Sequence, residues 1–114
     1  MSFYSPDIVY FDIVPPLRYE GSGALRGRFS RWFEGFDGPI TQEIHDLTIT
    51  TSGDVAITSM LIRAGGTVKD GPEVRRWVRA TSGCQRSAHG WWITHEHVSV
   101  PVDLGSGKVV DLEP

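Results

Sequence analysis

Alternate positions near the end of the chain carry His95, His97 and Ser99. Because successive side chains of a strand point to opposite faces, these three residues are predicted to share one face. The preceding segment has a second row at the same spacing, made of Arg75, Trp77, Arg79 and Thr81. Imidazole groups exchange protons near neutral pH. Polar rows on neighbouring apolar strands therefore predict a lined cavity, with His95 and His97 as proton carriers.

Asp12 lies near the end of the first apolar segment, where Tyr10 shares its face while Phe11 and Ile13 point the other way. A carboxylate surrounded by apolar side chains accepts protons near neutral pH more readily than an exposed one. We therefore predict Asp12 as a general base. The alternative is structural, because an aspartate near a turn often bonds to its backbone, here at Pro15-Pro16, or pairs with an arginine.

A set of aromatic, cationic and hydroxyl side chains is predicted to bind a ligand: Trp32, His45, Trp77, Arg79, Ser99. His45 shares its face with Leu47 and Ile49, which indicates an inward position. Trp32 belongs to an apolar stripe at helical spacing, so its alternative role is core packing.

Arg79 lies between the apolar residues Val78 and Ala80. A buried guanidinium is costly unless it meets an acid. Arg79 is therefore expected to pair with Asp12 or Glu96, or to bind an anionic ligand.

A metal site is the alternative role of the histidines, because His95 and His97 point the same way and His45 and Asp12 could add ligands. The acidic residue that usually follows a His-x-His pair three or four positions later is missing after His97. We therefore predict no metal. The simpler role of the histidines is to form hydrogen bonds inside a polar-lined interior or a dimer interface.

Length and composition limit the classes of protein. A chain of 114 residues predicts a single domain spanning 1–114. The formal charge of −3 argues against nucleic acid as a partner. The lone Cys84 forms no intrachain disulfide, which is typical of a reducing compartment. There is no apolar run of membrane-spanning length and no signal-peptide pattern, so we expect a cytoplasmic protein without a membrane partner.

Apolar periodicity and turn residues predict the order of elements. The segments 7–14 and 17–20, separated by two prolines, predict a strand pair at a sheet edge. Helical spacing of aromatic residues predicts a helix from Gly23 to Phe36, capped by Ser22. Four long β segments follow at 40–51, 54–64, 72–84 and 91–101. Sequential antiparallel pairing gives an α+β fold, in which a strongly curved antiparallel sheet forms a cone packed on a helix.

Short motifs from residue 4 onward follow one family pattern: YSPDIVYFD at 4–12, PPLRYEG at 15–21, GPI at 38–40, SGDVA at 52–56, WVRAT at 77–81 and HEHVSVP at 95–101. They resemble the SnoaL-like branch of the nuclear transport factor 2-like superfamily, which includes ketosteroid isomerase and polyketide cyclases. The resemblance covers the chain from about residue 4 to its end.

The resemblance implies a cystatin-like α+β roll with an internal pocket, commonly assembled as a homodimer through its sheet. It places Asp12 where ketosteroid isomerase has its general-base aspartate. The tyrosine and protonated aspartic acid that donate hydrogen bonds in that enzyme have no recognisable counterpart in the sequence. The usual N-terminal helices are expected to be lacking, through a downstream start site, a minimal fold or closure by a dimer partner.

Two functions are compatible with these features. The first is binding of a small, partly apolar molecule in the cone, with cofactor-independent acid–base chemistry of the isomerase, cyclase or dehydratase type. No nucleotide cofactor is expected, because the sequence has no glycine-rich phosphate loop or dinucleotide fingerprint. The alternative is a non-catalytic homo-oligomerisation or ligand-sensing module.

Overall fold

The computed structural model describes residues 3–114. These residues form six strands and one helix: β1 (Tyr4–Phe11), β2 (Tyr19–Glu20), α1 (Ser22–Glu34), β3 (Thr41–Ser52), β4 (Val55–Thr67), β5 (Glu73–Ser87) and β6 (Gly90–Ser99). The predicted α+β class and the order of elements are confirmed. Most element boundaries lie within about three residues of those expected from periodicity and turn residues.

The strands form one curved sheet in the order β2-β1-β6-β5-β4-β3. The pairs β3–β4, β4–β5 and β5–β6 are antiparallel, as sequential pairing predicts. The β1–β6 pair is parallel, which the expectation of a purely antiparallel sheet did not include. Parallel neighbours require a long crossover, and here the whole segment from β2 to β5 supplies it.

The hydrophobic core lies where α1 packs on β1 and β2. Leu25 of the helix and Ile8 of β1 are fully buried, and Tyr10 and Tyr19 complete the cluster. The ring of Phe29 lies 5.8 Å from that of Tyr10, nearly edge-on. Phe29 and Leu25 therefore pack the helix against the first strand.

The helix begins one residue before the predicted start. Gly21 occupies the N-cap position with φ 90°, and its N–H donates a 2.8 Å hydrogen bond to the carbonyl of Ile8. Ser22 is the first helical residue, and no side chain caps the helix. Gly21 takes this position because a positive φ is unfavourable for a residue with a Cβ.

The far end of the sheet is open. Every residue of β3 is exposed, and a positive φ of 54° at Asp46 accompanies a register shift between His45 and Thr48. Such a bulge twists an edge strand and interrupts its pairing surface. Among the described residues, α1 is far too short to span a membrane, and no other helix is present to do so.

A small hairpin follows β6. Val102 and Val109 form a bridge, and the N–H of Val110 donates a 3.0 Å hydrogen bond to the carbonyl of Pro101. Beyond the hairpin, the carboxylate of Asp111 accepts a 2.9 Å hydrogen bond from Nε of Arg76 in β5. The C-terminal segment is thus attached to β5 of the sheet.

Candidate active site

A cavity of about 330 Å³ lies between α1 and the inner face of the sheet. Its wall combines aromatic and aliphatic side chains with a few ionisable groups: Tyr4, Tyr10, Asp12, Ile13, Arg28, Phe29, Trp32, Phe36, Gln42, Ile62, Ala64, Gly65, Val74, Arg76, Val78, Glu96 and Val98. This volume is at the small end of the range for sites that hold small organic molecules.

Aromatic residues of α1 and the turn that follows it form one wall. Phe29, Trp32 and Phe36 recur at helical spacing and line the cavity. The rings of Trp32 and Phe36 lie 5.4 Å apart at a steep angle, which fixes their positions. The opposite wall is aliphatic, with Ile62 of β4 and Val78 of β5 as neighbours in register.

Asp12 lies in the cavity directly after β1 and forms a buried ion pair. Its Oδ2 accepts a 2.8 Å hydrogen bond from Nε of Arg28, and its Oδ1 accepts a 2.7 Å bond from the N–H of Ile13. The side chains of Asp12 and Arg28 are 7% and 15% exposed. Because each carboxylate oxygen has two acceptor sites, Asp12 keeps the capacity to bond a ligand.

Glu96 of β6 is the second carboxyl group of the cavity. It is buried, and within the described residues its Oε2 has no hydrogen-bond partner. Burial raises the pKa of Glu96 above its usual range, while hydrogen bonding from the hydroxyls of Tyr4 and Ser82 acts in the opposite direction. The negative charge of Asp12 raises the Glu96 pKa further, and the neighbouring His95 lowers it.

Two tyrosines surround Glu96. Burial is the main cause that raises the pKa of Tyr4 and of Tyr10 well above the usual range, and the charge of Glu96 adds to it. Their rings pack edge to face with centroids 6.5 Å apart. Both hydroxyls therefore stay protonated and are available as hydrogen-bond donors.

The cavity combines two carboxyl groups in different electrostatic surroundings. Asp12 is paired with a cation, whereas Glu96 is desolvated and close to hydroxyl groups. Pairs of titratable groups whose environments differ in this way are typical of acid–base sites. A carbonyl compound in the cavity could receive a hydrogen bond from protonated Glu96 and lose a proton to Asp12.

Two of the residues predicted from the sequence, Asp12 and Trp32, line this cavity. His95, His97 and Ser99 share a face as predicted, but Glu96 and Val98 between them line the cavity. Alternation therefore places the two histidines and the serine on the opposite, outer face of the sheet.

The predicted residues of β3 and β5 also lie on the outer face. Arg76 and Val78 face the cavity, so Trp77 and Arg79 point outwards. Nε of Arg79 donates a 3.1 Å hydrogen bond to Oγ of Ser99, which is a different partner from the acids expected for it. The ring of His45 contacts that of Trp77 at 4.8 Å between centroids.

The outer face has a shallow depression, in which His97 lies near the end of β1. It is lined by Phe11, Asp12, Leu17, Arg18 and His97. The ring of Phe11 contacts those of His95 and His97 edge-on, at 4.9 and 5.5 Å. Asp12 borders both this depression and the cavity. Proton transfer by His95 and His97 thus remains a prediction, and it would take place on the outer face of the sheet.

Within residues 3–114, no three histidine, cysteine or acidic side chains come together in an arrangement that would hold a metal ion. Cys84 is a free thiol, and burial raises its pKa.

Sequence reasoning did not select Glu96, Tyr4, Arg28 or Arg76 as site residues. Glu96 stands between two histidines and therefore has the sequence context of a surface residue. A signal for the inner face was present in the residues that alternate with the polar rows. On β5 the row with Val78, Ala80 and Ser82 is smaller and less polar than its neighbour, which is typical of an inner face.

Comparison with known proteins agrees with this architecture. Residues 1–103 match the family model described as a SnoaL-like domain. The chain belongs to the SnoaL-like domain family. This SnoaL-like chain is also similar to an NTF2-like protein of unknown function from Pseudomonas putida KT2440. The two share 30% identity with a TM-score of 0.86, over 99% of this chain and 79% of the other. Among curated proteins, no significant match to the sequence is found.

More distant solved structures share the fold of this SnoaL-like domain. An NTF2-like protein with a cystatin-like fold from Novosphingobium aromaticivorans is 15% identical with a TM-score of 0.75, covering 93% of this chain and 70% of its own. The CaMKII hub of S. rosetta is 20% identical with a TM-score of 0.69, covering 86% of this chain and 76% of its own. The predicted cystatin-like, NTF2-like fold is confirmed.

Proposed function

We propose that this SnoaL-like domain binds a small, partly apolar carbonyl compound in its cavity and catalyses cofactor-independent proton transfer on it. The observation that carries the proposal is the presence of Asp12 and Glu96 in one apolar cavity under different electrostatic conditions. Isomerisation, aldol-type cyclisation and elimination of water from a carbonyl compound can each begin with removal of a proton next to the carbonyl group.

Each group has a defined role in this proposal. Asp12 accepts the proton from the carbon next to the carbonyl, with Arg28 and the N–H of Ile13 orienting its carboxylate. Burial raises the pKa of Glu96 and so favours its protonated form, which in this proposal donates a hydrogen bond to the carbonyl oxygen as negative charge develops there, with support from the Tyr4 hydroxyl. The proposal assigns no step inside the cavity to His95 or His97.

Deuterium exchange tests the proton transfer directly. Acetophenone and 1-indanone are incubated with the protein in D₂O, and loss of the protons next to the carbonyl is followed by proton NMR. Asp12→Asn is expected to lower the exchange rate by about 100-fold or more, the usual contribution of a general base. Asp7→Asn is the matched control, because Asp7 is an exposed residue of β1, the strand that Asp12 follows.

The outcomes separate the proposal from its alternative. Exchange that depends on Asp12 and is slowed by Glu96→Gln supports it. Exchange no faster than in buffer, or exchange that persists in a folded Asp12→Asn protein, contradicts it. Because removal of Asp12 leaves Arg28 without its partner, folding of the variant is checked by circular dichroism, and Glu96→Gln gives an independent reading.

Self-association is the second candidate, and one feature of the surface favours it. The outer face carries aromatic and imidazole groups in contact, Phe11 with the two histidines and Trp77 with His45. The S. rosetta structure similar to this chain is described as a hub. A homodimer formed through the outer face of the sheet would bury these rings.

Sedimentation velocity tests this second candidate. A dimer is expected in the micromolar range, and Trp77→Ser is expected to shift it toward monomer. Trp91→Ser is the control, because Trp91 lies at the start of β6 and stacks with Arg86 instead. A wild-type protein that is monomeric throughout this range, or a dimer insensitive to Trp77→Ser, excludes the sheet-mediated dimer.

A further inference from the structure

We infer that the cavity accepts an aromatic carboxylic acid whose carboxylate binds Arg76 at the cavity mouth, in the place that Asp111 of the C-terminal segment occupies. The inference rests on the proposed function, because it concerns the same cavity. Beyond the proposed function, it names the class of ligand, an aromatic carboxylic acid, and the residue that competes with this ligand, Asp111.

Arg76 forms the open, cationic end of the cavity. It lines the cavity from β5, and its side chain is 38% exposed, whereas that of Asp12 is 7% exposed. The carboxyl groups of Asp12 and Glu96 are thus buried more deeply than Arg76. A ligand that enters the cavity past Arg76 meets this positive charge first and the carboxyl groups last.

Asp111 shows that Arg76 is oriented to receive a carboxylate. Oδ1 of Asp111 accepts a 2.9 Å hydrogen bond from Nε of Arg76, although Asp111 does not line the cavity. A guanidinium has five N–H donors arranged as a fork that matches a carboxylate. Asp111 takes Nε of Arg76, so a ligand carboxylate that binds the guanidinium side-on, through Nε and one terminal nitrogen, has to displace it.

Displacement of Asp111 requires little free energy. Its side chain is 69% exposed, and exposed ion pairs contribute little to stability. The segment that carries it follows a short hairpin closed by Val102 and Val109. A ligand carboxylate partly shielded by the cavity wall can therefore compete with Asp111 for Arg76.

The wall between the two ends fits an aromatic ring. Trp32 and Phe36 face aliphatic side chains across the cavity. Ser82, the register partner of Glu96, lies six positions after Arg76 on β5, so Arg76 and Glu96 meet the cavity at different points along the strand. A ligand that contacts both ends must be elongated, with its carboxylate and its carbonyl at opposite ends of the ring.

The test uses 4-acetylbenzoate and its neutral counterpart 4-acetylbenzamide, which differ only in the group expected to meet Arg76. Dissociation constants are measured from the indole N–H signal of Trp32 in NMR titrations. The acid is expected to bind more tightly than the amide. Arg76→Gln is expected to weaken binding of the acid by about three- to tenfold and to leave the amide unchanged. Arg63→Gln, on the outer face of β4, is the control for loss of a positive charge.

The competing group is tested separately. Asp111→Asn is expected to strengthen binding of the acid by about two- to fivefold, since it removes the intramolecular carboxylate. Glu113→Gln removes a negative charge two residues away and is expected to have no effect. Unchanged affinity for the acid in Asp111→Asn would overturn the competition, and equal affinities of acid and amide in the wild type would overturn the ligand class.

Proton transfer is read in the same samples from deuterium exchange of the acetyl methyl group. Exchange of both compounds without preference for the acid contradicts only this inference. Preference for the acid without exchange of either compound contradicts the proposed catalysis and leaves the ligand class standing. Because each variant is compared on two ligands, the ratio of affinities is independent of the fraction of protein that is folded.

Discussion

Tyr10 and Glu96 lie directly opposite each other across the parallel β1–β6 pair. Asp12 follows Tyr10 by two residues and therefore projects from the same face. The parallel pairing thus brings a carboxyl group from each end of the chain into one cavity. Each proposed acid–base group depends on this register, because a shift by one residue would exchange Glu96 for a histidine.

The raised pKa of Glu96 predicts a pH dependence of folding stability. Between the ordinary glutamate value of 4.5 and the raised value in the folded protein, the folded state binds the proton more tightly than the unfolded state. The free energy of unfolding therefore falls as pH rises through this window. Each unit of pKa difference corresponds to about 1.4 kcal/mol.

Glu96→Gln removes this titration, so its stability is expected to fall less between pH 4.5 and 8 than that of the wild type. Urea unfolding at several pH values measures the difference, which should be largest at neutral pH and should vanish toward pH 4.5. Glu34→Gln, at the exposed end of α1, is the control and should follow the wild type. Parallel curves for Glu96→Gln and the wild type would contradict a raised pKa.

The buried pair of Asp12 and Arg28 predicts strong coupling between these residues. Asp12→Asn and Arg28→Met are each expected to cost about 3 kcal/mol, because each leaves an unpaired group in a desolvated site. The double variant should cost less than the sum of the two. Urea unfolding of the four proteins gives the coupling energy.

The control cycle uses Arg18 and Glu20, which form an ion pair of similar length, 2.9 Å, with both side chains 63% exposed. Solvent screens this pair, so its coupling energy is expected to stay below about 1 kcal/mol. Equal coupling in the two cycles would show that burial of Asp12 and Arg28 does not strengthen their interaction.

The sequence predicts the elements better than it predicts which face is buried. Alternation correctly groups His95, His97 and Ser99 on one face, but a period of two residues does not say which face covers the core. Histidines, tryptophan and arginine suggested a lined cavity. The structure instead turns the row with Glu96 and Val98 inwards, because the helix packs there.

Backbone irregularities explain the rest of the difference. The bulge at Asp46 resets the register of β3, so the alternation that groups His45 with Leu47 and Ile49 is broken between them. The parallel β1–β6 pair joins segments more than eighty positions apart, and local periodicity carries no information about such a contact. Asp12 was predicted because it lies two positions after Tyr10 and its neighbours are apolar, and the register shift of β1 lies further back, between Tyr4 and Val9.

Close approach of two strands makes Gly65 intolerant of a side chain. A Cβ added there would lie 1.9 Å from the carbonyl oxygen of Val74, so the backbone of β5 would have to move. Gly65→Ala is expected to destabilise the protein by at least about 2 kcal/mol, as overpacking does. Gly23→Ala is the matched control, because a Cβ at this helical position meets nothing within 4 Å. It is expected to stabilise by about 0.5–1 kcal/mol, and urea unfolding of both variants measures the contrast.

Leu25 anchors α1 to the sheet, and its truncation measures how much the small core depends on this helix. The side chain is fully buried against Ile8, Tyr10 and Tyr19, so Leu25→Ala leaves a cavity in the core. We expect a loss of about 2–5 kcal/mol in the free energy of unfolding, measured by urea denaturation. Leu104→Ala is the control, since Leu104 is 96% exposed and its truncation should change stability by less than about 0.5 kcal/mol. A loss at Leu25 no larger than at Leu104 would mean that α1 is not held by this contact, and the cavity beneath the helix would lose its fixed wall.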